Sequence, residues 1–191
     1  MECKTGAVMH DLQNSLKQVE KAKPIIRELL RGGEIKAVEG RDDEICLMLD
    51  QNCGTDYFQI YRKGDLLDGV VWGIGSRFQK VRHGSKTFDT FTIRKSREYG
   101  TDTEYIKRKR AIQNNGIYPY LTMHGYYDEE TEEILSLAIA KTIDVWDCID
   151  NRFAYTMFTN YNQIGQSEFY CLRWDKMLRE GYPVKIWKKQ Q

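Results

Sequence analysis

The apolar positions of this chain change period several times, and each change marks an element. Leu12, Leu16 and Val19 recur at steps of four and three, the spacing of one helix face, so 10–31 reads as helical. Pro24 suits a first helical turn and not an interior, so it starts a second helix or kinks the first. Ile25, Ile26, Leu29 and Leu30 give an apolar face beyond it, and Gly32-Gly33 ends it. Extended segments follow. Residues 44–50 read as a largely buried strand, 55–62 as a second after the polar turn 51–54, and 70–80 as a third. Residues 88–94 alternate as a half-buried strand with Thr90, Thr92 and Arg94 on one face.

Thr101-Asp102-Thr103-Glu104 then matches a capping box, in which Thr101 and Glu104 serve unpaired backbone N–H groups. The helix it opens runs to Asn114-Asn115-Gly116. Two strands, 118–126 and 134–142, flank the acidic turn 128–130, and 144–149 starts a short helix. The last third reads as strand, short helix, strand. This order predicts an α/β (α+β) fold, one domain with a central mixed sheet flanked by helices. Its core lies at about 10–142, with a C-terminal extension over 143–191.

Composition narrows the class. With 191 residues, 41% hydrophobic and 12% aromatic, the chain can bury a real core. No apolar run approaches a membrane span, and Met-Glu-Cys-Lys-Thr-Gly lacks a signal peptide's apolar stretch, so a cytoplasmic protein is expected. Cys3, Cys46, Cys53, Cys148 and Cys171 form no CxxC pair, which argues against structural zinc and a secreted disulfide framework. His10, His83 and His124 lack ligand spacing, and no GxSxG, phosphate-loop or dinucleotide fingerprint occurs.

The net charge of +1 hides an asymmetry. Residues 77–110 hold eleven Lys/Arg against four Asp/Glu, whereas 128–150 hold eight acids and one lysine. Either the two segments orient the molecule over a polyanion or they face each other in the fold.

Candidate chemistry sits on the third strand. Arg77 and Gln79 share a face at the end of an apolar run, where two polar side chains need a partner, a metal or a substrate. Asp56 follows Gly54-Thr55 at the tip of the preceding strand. The alternative is structural: Asp56 caps a turn, and Arg77 and Gln79 satisfy partners at a sheet end.

Helix, strand meander, helix, strand, with Gly54-Thr55-Asp56 followed by Gln79, resembles the restriction-endonuclease-like (PD-(D/E)XK) nuclease fold, loosely its Mrr-like branch. The resemblance spans roughly residues 10–142. It implies a metal-dependent nuclease hydrolysing DNA, with Mg²⁺ or Mn²⁺ held by Asp56 and Gln79. It departs from the family at Val81, where the pattern wants lysine. Arg77 or Lys80 then stands in for that lysine, or the site is inactive. Glu20 or Glu28 on the first helix would add a further acid.

Arg94, Lys95 and Arg97 extend a phosphate-contacting surface, and Lys107 and Arg108 add to it if the 107–110 run faces the ligand. In that run Lys109 falls on the apolar side, and Lys107, Arg108 and Arg110 look solvated. The aromatic run 153–161 stacks on bases or forms core or an oligomer interface. DNA is the expected partner. A catalytically inactive module on the same scaffold, binding nucleic acid, a protein or a second copy, is the rival reading.

Overall fold

In the computed structural model, which describes residues 17–38, 43–51, 53–61, 70–97, 102–161 and 165–190, the first helix, α1 (17–29), runs unbroken through Pro24. The expected second helix does not start there, and Pro24 is exposed. Leu12, Leu16 and His10 lie outside the described residues. Val19, Ala22, Ile26 and Leu30 form the buried stripe. Gly32 N–H closes the helix end on the Arg27 carbonyl at 2.7 Å, a six-to-one bond that satisfies an otherwise orphaned acceptor.

The strands are β1 (Glu34–Ala37), β2 (Tyr57–Tyr61), β3 (Val70–Val81), β4 (Thr90–Arg97), β5 (Leu121–Asp128), β6 (Ile134–Lys141), β7 (Tyr155–Tyr161), β8 (Gly165–Arg173) and β9 (Val184–Lys188). The remaining helices are α2 (Glu44–Gln51), α3 (Glu104–Gln113), α4 (Thr142–Asp150) and α5 (Trp174–Arg179). Six strands form a mixed sheet in the order β1-β2-β3-β5-β6-β9, and three form a second sheet, β4-β8-β7. The β3–β5 pair is parallel, with Arg77 opposite His124 and Gln79 opposite Tyr126. The protein is thus a mixed α+β domain with a central mixed sheet.

The alternation of β3 and β5 divides the core in two. Ile74, Met123, Leu137 and Ile139 pack with the buried stripe of α1. On the other face Val81, Tyr126 and Ala138 pack with Phe91, Ile93, Leu172 and Trp174 of the small sheet and its flanking helices. A polar seam joins the layers. The Tyr126 hydroxyl donates to the Thr90 carbonyl at 3.1 Å, and Thr90 N–H donates back to it at 3.3 Å.

Three expectations are corrected. The buried strand at 44–50 is helix α2, with Ile45 68% exposed. Asp43 explains it: its carboxylate accepts from Cys46 N–H at 3.0 Å, an N-cap that starts a helix. Strand β4 does not pair with β3 but lies in the second sheet, and Thr90, Phe91, Thr92 and Ile93 are all buried. Helix α3 starts from Thr103, not Thr101, which lies outside the described residues. The Thr103 hydroxyl donates to the Lys95 carbonyl at 2.8 Å, tying α3 to β4, and Glu104 turns to Arg108.

The acidic and basic segments meet at Lys109–Asp150, 2.9 Å, and His83–Asp128, 2.8 Å. Glu132 instead pairs with Lys17 and Lys21 of α1, and Glu133 with Lys189. Among the described residues no helix is long and apolar enough to cross a membrane.

Candidate anion-binding cleft

The start of β2, the middle of β3, the end of β4 and the first turns of α3 converge on an open cleft of about 250 Å³. Six residues singled out from the sequence line it: Asp56, Arg77, Arg94, Arg97, Lys107 and Arg108. Gln79, Lys80 and Lys95 do not line it. Gln79 shares a face with Arg77 but sits one side-chain repeat further along β3, about 7 Å away. Lys80 projects from the opposite face and is exposed. Lys95 is held by Glu168 at 2.7 Å.

Asp56 stands next to the first residue of β2, and its carboxylate accepts a hydrogen bond from Ser76 N–H on β3. Its own N–H donates to the Ile74 carbonyl at 3.0 Å. The acid therefore fastens the β2 start to β3 and also lines the cleft.

Arg108 departs most from its expected place. It is 4% exposed, not solvated. Its guanidinium pairs with Glu104 at 2.8 Å, donates to the Gly54 carbonyl at 3.1 Å and lies 5.4 Å over the Trp146 ring. Gly75 makes this seat possible. A Cβ there would stand 2.2 Å from Arg108 Nη2 and 2.9 Å from the Gly54 carbonyl oxygen.

Arg77 and Arg94 both lie over one ring. The Arg77 guanidinium lies 5.0 Å and that of Arg94 5.4 Å from the centre of Phe169 on β8. Such stacking holds a guanidinium in place while its N–H groups stay available. Arg94 Nε is buried without a hydrogen-bond partner. Among the described residues no carboxylate lies within ion-pair distance of Arg77, Arg94 or Arg97. The acids at the cleft are otherwise engaged. Glu104 pairs with Arg108, and Asp102 pairs with Arg110 at 2.7 Å. Burial pushes the Asp50 carboxyl up, with Lys107 opposing.

Beside Arg77 lies His124, fully buried, whose pKa is driven well below the ordinary imidazole value by burial and then by the Arg77 charge. Its Nδ1 accepts from Thr92 N–H at 3.2 Å, so the neutral ring carries its proton on Nε2. Burial also raises the Cys53 thiol at the cleft wall, which keeps it protonated at neutral pH.

The Mg²⁺ shell of Asp56 and Gln79 does not fit this arrangement. Gln79 is outside the cleft, the Asp56 carboxylate already accepts from Ser76 N–H, and a guanidinium fills the room above Gly75. Hard divalent cations need gathered oxygen donors. Among the described residues no group of three or more His, Cys, Asp or Glu side chains gathers to hold a metal. The cleft sets Asp50, Asp56, Asp102 and Glu104 beside five cations, of which Arg77, Arg94 and Arg97 have no carboxylate partner among the described residues and suit an oxyanion.

Phe169 and Asp50 were missed by the sequence reading. Asp50 is hidden by reading 44–50 as a strand. No sequence signal marks Phe169. Tyr105, Arg108 and Ile112 fall on one helical face, but so do Tyr105, Lys109 and Ile112, and spacing alone does not single out Arg108 for burial.

Comparison with protein-family models, with curated proteins and with solved structures finds no match to this chain.

Proposed function

We propose that this chain is a phosphate-binding module on a restriction-endonuclease-like scaffold, taking the nucleic-acid backbone into the arginine cleft without cutting it. The observation that carries this reading is the convergence of Arg77, Arg94 and Arg97 with no carboxylate partner among the described residues. An arginine fork matches phosphate oxygens in pairs, and its charge persists at any physiological pH. The scaffold is supported by the element order α1, β1-β2-β3, α3, β5, with α2 and β4 as additions and a parallel β3–β5 pair.

Phosphate entering the cleft meets Arg77 and Arg94, both already stacked on Phe169, so little side-chain entropy is lost on binding. Arg97, exposed at the cleft rim, adds a third charge. Neutral His124 behind Arg77 adds no competing charge.

The test is a gel shift with a labelled oligonucleotide at low salt, in EDTA and in Mg²⁺, beside incubation with supercoiled plasmid. A salt-sensitive shift in EDTA, lost in the Arg77→Ala/Arg94→Ala double variant, with intact plasmid, is the expected outcome. No shift at low salt would reject it. A second reading, metal-dependent DNA hydrolysis, is favoured by one observation: Asp50 and Asp56 both line the cleft. Nicking that needs Mg²⁺ or Mn²⁺ and disappears in Asp56→Ala would install that reading instead.

A further inference from the structure

The cleft face of the small sheet continues past Phe169. Strand register sets Met157 of β7 opposite Phe169 and Tyr155 opposite Cys171. Arg94 of β4 is opposite Phe169 from the other side. Directly opposed residues share a face, with Cβ atoms about 5 Å apart. Tyr155 and Met157 therefore stand on the same face as Arg94 and Phe169, the face that Arg77 meets from the large sheet.

This extension is open, and Arg173, the charged neighbour that acts on Tyr155, is itself paired with Asp175 at 2.9 Å. Among the described residues β7 is the outer strand of its sheet, and Tyr155 is 50% and Met157 40% exposed. Tyr155 stands directly across the strand pair from buried Cys171.

Three guanidiniums without a carboxylate partner among the described residues, with an exposed aromatic and a thioether on the same sheet face as Arg94, have the chemistry of a nucleotide site. The cations suit the phosphate, and the platform suits the flat face of a base. A duplex hides base faces in its stack and offers only edges and backbone. An unpaired strand offers the face itself. Resting on the phosphate-binding reading above, we infer that the site takes single-stranded nucleic acid, with a phosphate on Arg77 and Arg94 and the adjoining base against Tyr155 and Met157.

The experiment is fluorescence anisotropy in EDTA with a labelled oligothymidylate and with a labelled duplex of the same length. The single strand should bind at least ten-fold more tightly, roughly the worth of one stacked base. Tyr155→Thr, which keeps a strand-compatible side chain, should remove about ten-fold of that affinity and leave duplex binding unchanged. Tyr155→Phe should retain it, and Arg77→Ala should weaken both probes. Circular dichroism and thermal unfolding establish that each variant is folded. Equal affinity for both probes, untouched by Tyr155→Thr but weakened by Arg77→Ala, would overturn the single-strand inference and keep the phosphate reading. Absence of binding to either probe would overturn both.

Discussion

Adding one methyl group at Gly75 should unseat Arg108. The new Cβ would lie 2.2 Å from Nη2, 2.8 Å from Cζ and 2.9 Å from the Gly54 carbonyl oxygen. The guanidinium cannot swing aside without cost, because Arg108 is 4% exposed and bonded to Glu104, Gly54 and Thr122. Displacing it breaks a charge-assisted hydrogen bond worth about 1.5–3 kcal/mol. Overpacking against a fixed backbone oxygen adds about 1–3 kcal/mol. Because relaxation offsets part of both, Gly75→Ala should destabilise by about 2–4 kcal/mol, lowering Tm by roughly 5–15 °C for a chain of this length. Differential scanning fluorimetry measures it. Gly116→Ala is the control, since its Cβ meets only ordinary contacts at 3.5 Å and beyond. A Gly75→Ala midpoint within about 2 °C of wild type would mean that Arg108 has another seat, and the account of the cleft would be wrong.

Other consequences can be measured alongside. Tyr126→Phe removes the hydroxyl shared with Thr90 and should cost about 1–3 kcal/mol in urea unfolding, with an unchanged m-value. His124 is held neutral, so the unfolded chain gains a proton that the folded chain refuses once pH falls below about 6.5. Its stabilising contribution is complete above that pH and declines below it, and urea midpoints should fall on acidification less steeply in His124→Gln. Arg94→Ala should lower the slope of log affinity against log salt for oligonucleotide binding by about one, as expected for one lost phosphate contact.

The sequence was most legible where one period governs a segment. Strand β3, helix α3 and helix α5 fall where the pattern places them, because each has a clean alternation or a marked boundary. Helix α2 was misread because a short apolar run fits either a strand or a helix, and Asp43 decided the matter through one side-chain bond. For the site, the pattern chose residues well and partners poorly. Asp56, Arg77 and Arg94 do converge, yet β4 reaches them by crossing from a second sheet, which no local signal reports. Arg108 illustrates the limit of treating a basic run as one object. Lys107, Arg108 and Lys109 point about 100° apart around a helix, and only the tertiary fold assigns their surroundings.

The parallel pairing of β3 with β5 also governs the order in which this molecule can be made. Strands β1, β2 and β3 pair with their neighbours in sequence, β1 and β2 across the intervening helix α2, but β3 gains its inner neighbour only after β4 and α3 have been looped out and β5 has arrived. Strand β4 waits longer still, since its hydrogen-bonding neighbour is β8, near the end of the chain. Contacts so distant in sequence slow folding, because the loop must close before they can reward it. On the ribosome, Phe91 and Ile93 therefore remain uncovered until almost the whole chain has emerged. A nascent chain halted before β8 would leave β4 without its hydrogen-bonding neighbour, and such an arrested chain should be a better chaperone ligand than the full-length protein.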